Sequence, residues 1–406
     1  MARILDSLRS GDWLQQDRLR VYPLVIVSVS IIATAYVLFA HGGVLPNGSP
    51  FGSDFVSFWV AAREALLGRP EVPYLAADFA RAQDAIFGDG NFYAFFYPPH
   101  YLAYVLPFGL LPYYAALAAW LGLGLLAAVW VITAIAGRRP EVVLLVLAFP
   151  ATFLTVAHGQ NAFLSAALFG GALLLLDRRP IIAGILFGLL TFKPQLGLLI
   201  PLALLAGGYW RTIFSAIAMT LAVAALSALL FGVNTWALFI AQGADAMATL
   251  SNGYVEWSKM ISTYAMLRVG GLAHVPAMAV QACVSVAVAC VVVWAWRPRN
   301  AVAFAFRAAL LLTGALLATP FGLNYDLFVL APAIAYAAAL GMRHGFAPWL
   351  KSLLAFAFLS PVVMLWLTSL KIAVAPVVLA SLFVHFAVLA FAGTTRGQTA
   401  LPAAAE

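Results

Sequence analysis

Asp54 and Lys193 stand out in this sequence as charged side chains set among apolar neighbours, and Tyr97, His158, Gln160, Asn161, Asn324, Tyr325 and Asp326 fall in similar breaks between apolar runs. An ionised aspartate is a pure acceptor with an ordinary pKa of about 3.9, so it can take the proton of an attacking hydroxyl. A lysine among apolar residues offers a point charge to an anionic leaving group, or it snorkels to the membrane surface. Asp54 opens the segment 51–75, FGSDFVSFWVAAREALLGRPEVPYL, in which Phe55, Phe58, Trp59, Ala62 and Leu66 recur at helical spacing opposite Arg63, Glu64 and Gly68. That pattern predicts an amphipathic helix lying in a membrane interface, with Trp59 at headgroup level. A carboxylate at a helix start also caps free N–H groups, so capping and base chemistry both stand at Asp54.

The other breaks have their own chemistry. In YPPHYLAYVLPFGLLP (97–112) four prolines remove backbone donors and leave a stretch too short to span, which predicts a re-entrant or interfacial segment with Tyr97 and His100 near the membrane surface, or else a kinked loop. TVAHGQNAF (155–163) brings His158, Gln160 and Asn161 to a tight connection, with donors and acceptors suited to hydroxyls or phosphate oxygens; a plain polar turn reads the same. Lys193-Pro194 interrupts one apolar run, and Thr319-Pro320 leads to Asn324-Tyr325-Asp326 in another.

The elements that position these residues are membrane helices. With 64% hydrophobic and 9% charged residues and a mean hydropathy of +0.99, the chain is excluded from the soluble class. The apolar runs do not alternate, which excludes a β-barrel. The fold class expected is all-α and polytopic, with about twelve apolar segments near 22–40, 113–136, 141–157, 162–176, 180–192, 195–209, 212–232, 273–296, 302–319, 323–340, 346–369 and 372–392, of which the four between 141 and 209 are short enough to be tilted, partial or buried in protein. The first run is too long for the core of a cleaved signal peptide and reads as a retained span. Threading from a cytoplasmic N-terminus puts 15 of the 22 Lys and Arg inside with 6 of the 15 acids, a net +9 against −2 outside. Residues 1–21 and 394–406 then form cytoplasmic ends of a transmembrane domain over 22–393, with extracytoplasmic loops near 41–98 and 233–272. The formal charge of +7 therefore reflects sidedness and gives no reason to expect nucleic acid as a partner. Short cytoplasmic connections leave little surface for a nucleotide, and Gly122-Leu-Gly124 lies inside an apolar helix, where it is no phosphate loop. Cys283 and Cys290 are seven residues apart on one run, too far along a helix for a disulfide.

The order D-F-x-x-F-W-x-A-A (Asp54 to Ala62), L-x-G-x-P-x-x-x-Y (Leu66 to Tyr74), Y-P-P (Tyr97 to Pro99), G-Q-N (Gly159 to Asn161) and K-P-Q-L (Lys193 to Leu196) resembles glycosyltransferase family 87, which includes polyprenol-phosphate-mannose-dependent α-1,2-mannosyltransferases. The resemblance implies a GT-C-type bundle in the bacterial inner membrane, with its site on the periplasmic side, a polyprenyl-phosphate sugar as donor and a glycolipid or glycan as acceptor. It implies Asp54 as the catalytic carboxylate. With it, Lys193 and Arg63 are expected at the donor phosphate, and Tyr97, His158, Gln160, Asn161, Asn324, Tyr325 and Asp326 around the sugar, with no cofactor and no metal. Many relatives carry a Trp and paired His where this chain has Asn324-Tyr325-Asp326, which is where its sugar contacts would differ. A transporter or lipid flippase is the alternative from another class. It would show matching broken segments in both halves, and the YPPH and KPQL breaks have none after residue 220.

Overall fold

Apolar periodicity builds helices throughout. The computed structural model describes residues 2–45, 48–88 and 90–399, and among them no strand forms; two isolated bridges, Val44 to Pro50 and Met260 to Leu323, pair extended backbone. Among the described residues, seven helices are long and apolar enough to cross a membrane: Arg18–Ala40, Tyr113–Ala136, Trp210–Phe231, His274–Trp296, Asn324–His344, Leu350–Thr368 and Ala375–Gly393. Pro140–Ala148 and Pro150–His158, bent by 55°, make an eighth if the pair is one span. At the bend Pro150 offers no N–H, and the Thr152 hydroxyl reaches back to donate to Val146 O at 2.6 Å. This is an integral membrane protein.

By length and hydropathy, seven or eight of the about twelve expected segments suffice to cross a membrane on their own among the described residues. All the predicted apolar segments are helical, but Ala162–Leu175, Pro180–Phe192, Pro194–Gly207 and Phe304–Ala318 are only 10–17 residues long. Two of them owe their hydropathy to protein neighbours. Ala308 to Ala318 are all buried, and so is Ala162–Leu175 along most of its length. A helix enclosed by other helices need not match the hydrocarbon thickness. These two pack with Leu330–His344 as the centre of the bundle, while few residues of Arg18–Ala40 and Trp210–Phe231 are fully buried. Pro180–Leu189 lies tightly on Trp210–Phe231 because Gly184 and Gly188 are four residues apart on the facing side. A Cβ at Gly184 would sit 2.4 Å from Thr212 O.

The first-loop helix forms at Ser53–Leu66, but not as a one-faced amphipath. Ser53, Phe55 through Ala62 and Glu64 are all buried, Trp59 Nε1 donates to Leu111 O at 2.9 Å, and Glu64 is paired with Arg69 at 2.8 Å. Of the residues opposite the apolar stripe, Glu64 is neutralised inside the protein. The 97–112 stretch becomes two short helical pieces, His100–Val105 and Leu106–Leu110, packed against Ser53–Leu66. The second expected loop is also structured: Val233–Asn252 is a 20-residue helix, followed by the short Thr263–Val269. The last helix, Ala375–Thr399, runs into the expected tail, and 400–406 lie outside the described residues.

Candidate active site

Two glycines bring the first-loop helix to the end of Pro150–His158. Gly52, at φ 78°, is the N-cap of Ser53–Leu66, and its N–H donates to Ala157 O at 2.9 Å. Gly159, at φ 68°, ends Pro150–His158, with its own N–H on Val156 O and the Gln160 N–H on Thr155 O, the paired bonds of a Schellman turn. A Cβ at Gly159 would fall 2.6 Å from Phe55 Cβ, so the close approach requires glycine there. Tyr113 Oη locks the entry by donating to Phe51 O or Gly52 O, at 3.1 and 2.8 Å.

That junction sets Asp54 beside His158 and Gln160. The N-cap position of the Ser53–Leu66 helix is taken by Gly52, and the hydrogen bonds of the Asp54 carboxylate go to side chains. Its Oδ2 accepts from Gln160 Nε2 at 2.9 Å, its Oδ1 accepts from Ser53 Oγ at 3.4 Å, and His158 Nδ1 stands 4.0 Å from Oδ1. About a third of each of the two side chains, 31% for Asp54 and 32% for His158, remains exposed, which leaves the carboxylate reachable.

The polarity of the network runs outward from this carboxylate. A carboxylate only accepts, so the Gln160 atom facing it is the amide nitrogen. Gln160 Oε1 then accepts from Tyr97 Oη at 3.3 Å and from the Asn161 N–H at 3.2 Å, and Nε2 also reaches Tyr325 Oη at 3.2 Å. Asn161 Nδ2 donates to Tyr101 Oη at 2.9 Å. Burial, reinforced by the Asp326 charge, pushes the Tyr97 phenol well above its ordinary range, so it stays protonated and donates. Tyr97 stacks on Tyr101 with ring centroids 4.3 Å apart.

Lys193 is buried, with 2% of its side chain exposed, so it does not snorkel. Nζ donates to Asp326 Oδ1 at 2.5 Å and lies 5.5 Å from the centre of the Tyr325 ring. Asp326 Oδ2 accepts the Leu323 N–H at 3.1 Å, and Asn324 Oδ1 accepts the Tyr325 N–H at 2.8 Å. Asp326 and Asn324, expected to hold sugar, are thus engaged in building their own turn and in neutralising Lys193. Tyr325 joins the two halves of the site, touching Gln160 through its hydroxyl and Lys193 through its ring.

Arg63 is not brought to this cluster. Nine residues after Asp54, it is about 13 Å further along the helix and half a turn round it, and its guanidinium lies over the Trp59 ring at 4.8 Å. The expected pairing of Arg63 with Lys193 at one phosphate does not arise. Among the described residues, no three of His, Cys, Asp and Glu come together as metal ligands would. Tyr101 and Ser53 were not anticipated. The signal for Tyr101 was present in the spacing of Tyr97, Tyr101 and Tyr104, which marks one side of a helical turn.

No curated protein and no solved structure matches the chain. Residues 95–320, more than half of the chain, match glycosyltransferase family 87, a stretch that includes Tyr97, His158, Gln160, Asn161 and Lys193 but neither Asp54 nor Asn324 to Asp326. The network around Gln160 and the buried lysine therefore belong to the part of the chain carrying the match, and the chain is a member of glycosyltransferase family 87.

Proposed function

We propose that this glycosyltransferase moves a hexosyl group, mannosyl by the family resemblance, from a polyprenyl-phosphate sugar to the hydroxyl of a glycolipid or glycan on the extracytoplasmic side of a bacterial inner membrane. The observation that carries the reading is the Asp54 carboxylate: reachable, not capping its helix, and held by Gln160 next to His158. Asp54 takes the acceptor proton as the hydroxyl oxygen bonds to the anomeric carbon. The bond from that carbon to the phosphate oxygen breaks opposite the attack, the electron pair leaves with the polyprenyl phosphate, and the anomeric centre inverts. Gln160 donates to the ionised form of Asp54 and fixes which oxygen faces outward. Lys193 has one N–H on Asp326 and two further N–H groups, so it can offset charge on the departing phosphate without leaving its carboxylate partner. Membership of a glycosyltransferase family and a reachable carboxylate both favour this reading over a transporter.

The test is to incubate the purified protein in lipid nanodiscs with a panel of polyprenyl-phosphate sugars and a membrane extract as acceptor. Release of polyprenyl phosphate that depends on the acceptor supports the reading. Transfer from a sugar nucleotide alone contradicts it.

A further inference from the structure

Away from Asp54, the bundle ends in a second polar group. Ala162–Leu175 starts beside Asn161 and ends two residues before Asp177, so about 21 Å of helix separates this group from the Gln160 network. Asp177, in the turn before Pro180–Leu189, accepts from Tyr209 Oη at 3.0 Å, and Tyr209, which opens Trp210–Phe231, packs edge-on against Trp296 with ring centroids 5.9 Å apart. Arg307, in the first turn of Phe304–Ala318, completes the group. Its guanidinium lies 5.8 Å from the centre of the Trp296 ring and 5.3 Å from that of Phe304, and burial and then the charges of Arg307 and Asp177 act on the Tyr209 phenol. Arg307 is part-exposed, with Nε enclosed and without a partner, and among the described residues no carboxylate comes within 4.0 Å of it. Aromatic rings and a phenol meet this cation, but no anion does. Arg178 and Arg179 follow Asp177 and Arg211 follows Tyr209 by two residues, all three exposed, so the group sets four cations against one carboxylate, already engaged by Tyr209. The surface beside it is apolar: Thr212 Oγ1 donates to Pro180 O at 3.1 Å and Ser215 Oγ to Ile181 O at 2.8 Å, which lays the starts of two helices side by side with Ile181, Trp210 and Phe214 exposed.

The geometry points to a binding site for an anionic phospholipid at the end of the bundle opposite Asp54, with its phosphate on the Arg307 guanidinium and its chains on the face made by Ile181, Trp210 and Phe214. A guanidinium presents a planar fork of donors that fits phosphate oxygens. The exposed arginines around it favour a headgroup of net negative charge over a zwitterion. A lipid held there links Trp210–Phe231, few of whose residues are fully buried, to the enclosed Phe304–Ala318.

The experiment takes the full chain, purified in detergent and stripped of lipid, and titrates it with phosphatidylglycerol or with phosphatidylcholine of the same chains, counting bound lipid by native mass spectrometry. Phosphatidylglycerol is expected to bind more tightly, and excess inorganic phosphate is expected not to displace it. Arg307→Gln is expected to weaken phosphatidylglycerol binding by about 10- to 150-fold, the range for a hydrogen bond to a charged group, and to leave phosphatidylcholine binding unchanged. Arg138→Gln, at an exposed arginine just past Tyr113–Ala136, is expected to leave both nearly unchanged. Should the glutamine variant fail to fold, Arg307→Lys keeps the charge and loses the fork, and is expected to bind phosphatidylglycerol more weakly than the wild type. Equal affinity for the two lipids makes the face an ordinary lipid contact, and displacement by free phosphate makes it a site for a soluble anion. Loss in Arg138→Gln as large as in Arg307→Gln spreads the preference over the whole charged end, and wild-type affinity in Arg307→Lys removes the fork; each overturns the proposal.

Discussion

At Asp54, sequence alone leaves capping and base chemistry level. Position favours a cap, because the residue opens a helix, but Gly52 occupies the cap position and the carboxylate turns to Gln160 and His158. Lys193 has a buried carboxylate partner in place of the membrane surface. The sequence made both residues visible because each is a charge in apolar surroundings. It could not show that Asp326 pairs with Lys193 across 133 residues, since nothing local encodes the contact. The pair supports a prediction. Lys193→Met leaves the Asp326 charge buried and unpaired, a loss of about 3–5 kcal/mol. In Lys193→Met with Asp326→Asn, the asparagine oxygen can still accept the Leu323 N–H and no charge is stranded, so thermal stability is expected to recover most of that loss. Donor affinity of the double variant is expected to stay about 5- to 150-fold below wild type, the range of a charge-assisted hydrogen bond of about 1–3 kcal/mol. Donor titration near the wild-type value would make the lysine a counterion of Asp326 and nothing more.

At the scale of elements, the breaks are where the chemistry is, and they were legible because proline and glycine mark them: Pro98 and Pro99, Gly159, Pro194 and Pro320 each sit within a few residues of a site side chain. Less legible was the burial around them. The alternating faces of Ser53–Leu66 read as membrane and water, but Glu64 finds Arg69 five residues on, and the polar face closes on itself. Gly159→Ala tests the junction. A left-handed backbone costs a non-glycine residue about 1–2 kcal/mol, and the new Cβ pushes Phe55, with its helix, away from Gln160. Melting temperature should fall, and transfer measured well below the melting temperature should fall as well; unchanged transfer would mean that the approach of the two helices does not set the site. His100 offers a pH test. It is buried against Trp236, and burial holds its imidazole down to about 4 against an ordinary 6.5. The unfolded chain takes up a proton below about pH 6.5, while the folded one resists until about pH 4, so stability falls as pH drops through that window, by roughly 2–3 kcal/mol. Melts between pH 7 and 4.5 should show this loss in the wild type and a smaller one in His100→Phe.

Taken as a whole molecule, the all-helical membrane class followed from composition, but the number of spans did not. Hydropathy registers transfer out of water and cannot distinguish lipid from protein: the shortness of the segments between 141 and 209 already pointed to partial or buried helices such as Ala162–Leu175, whereas the enclosed Phe304–Ala318 reads as a span from hydropathy alone. Sidedness rests on charge, and the net +9 against −2 predicts that Glu71 and Asp84 lie outside while Arg9 and Arg299 lie inside. Cys283 and Cys290 are both exposed and are replaced by alanine first. Single cysteines at 71 and 84 should then react with an impermeant maleimide in intact cells and those at 9 and 299 only after permeabilisation, and labelling of both the Glu71 and Arg9 positions in intact cells would overturn the threading.

The central claim is that Asp54 is the base, and Asp54→Asn tests it most directly. Asparagine keeps the size of the side chain and can still accept the Gln160 amide hydrogen, so the protein should fold, melt near the wild-type temperature and bind polyprenyl-phosphate sugar. It cannot take the acceptor proton, and loss of base catalysis costs about 10²–10⁴-fold in rate. The measurement is acceptor-dependent release of polyprenyl phosphate by the folded variant. A fall in that range is the result predicted here, and transfer above about a tenth of the wild-type rate would contradict the account and move the search for the base to another carboxylate.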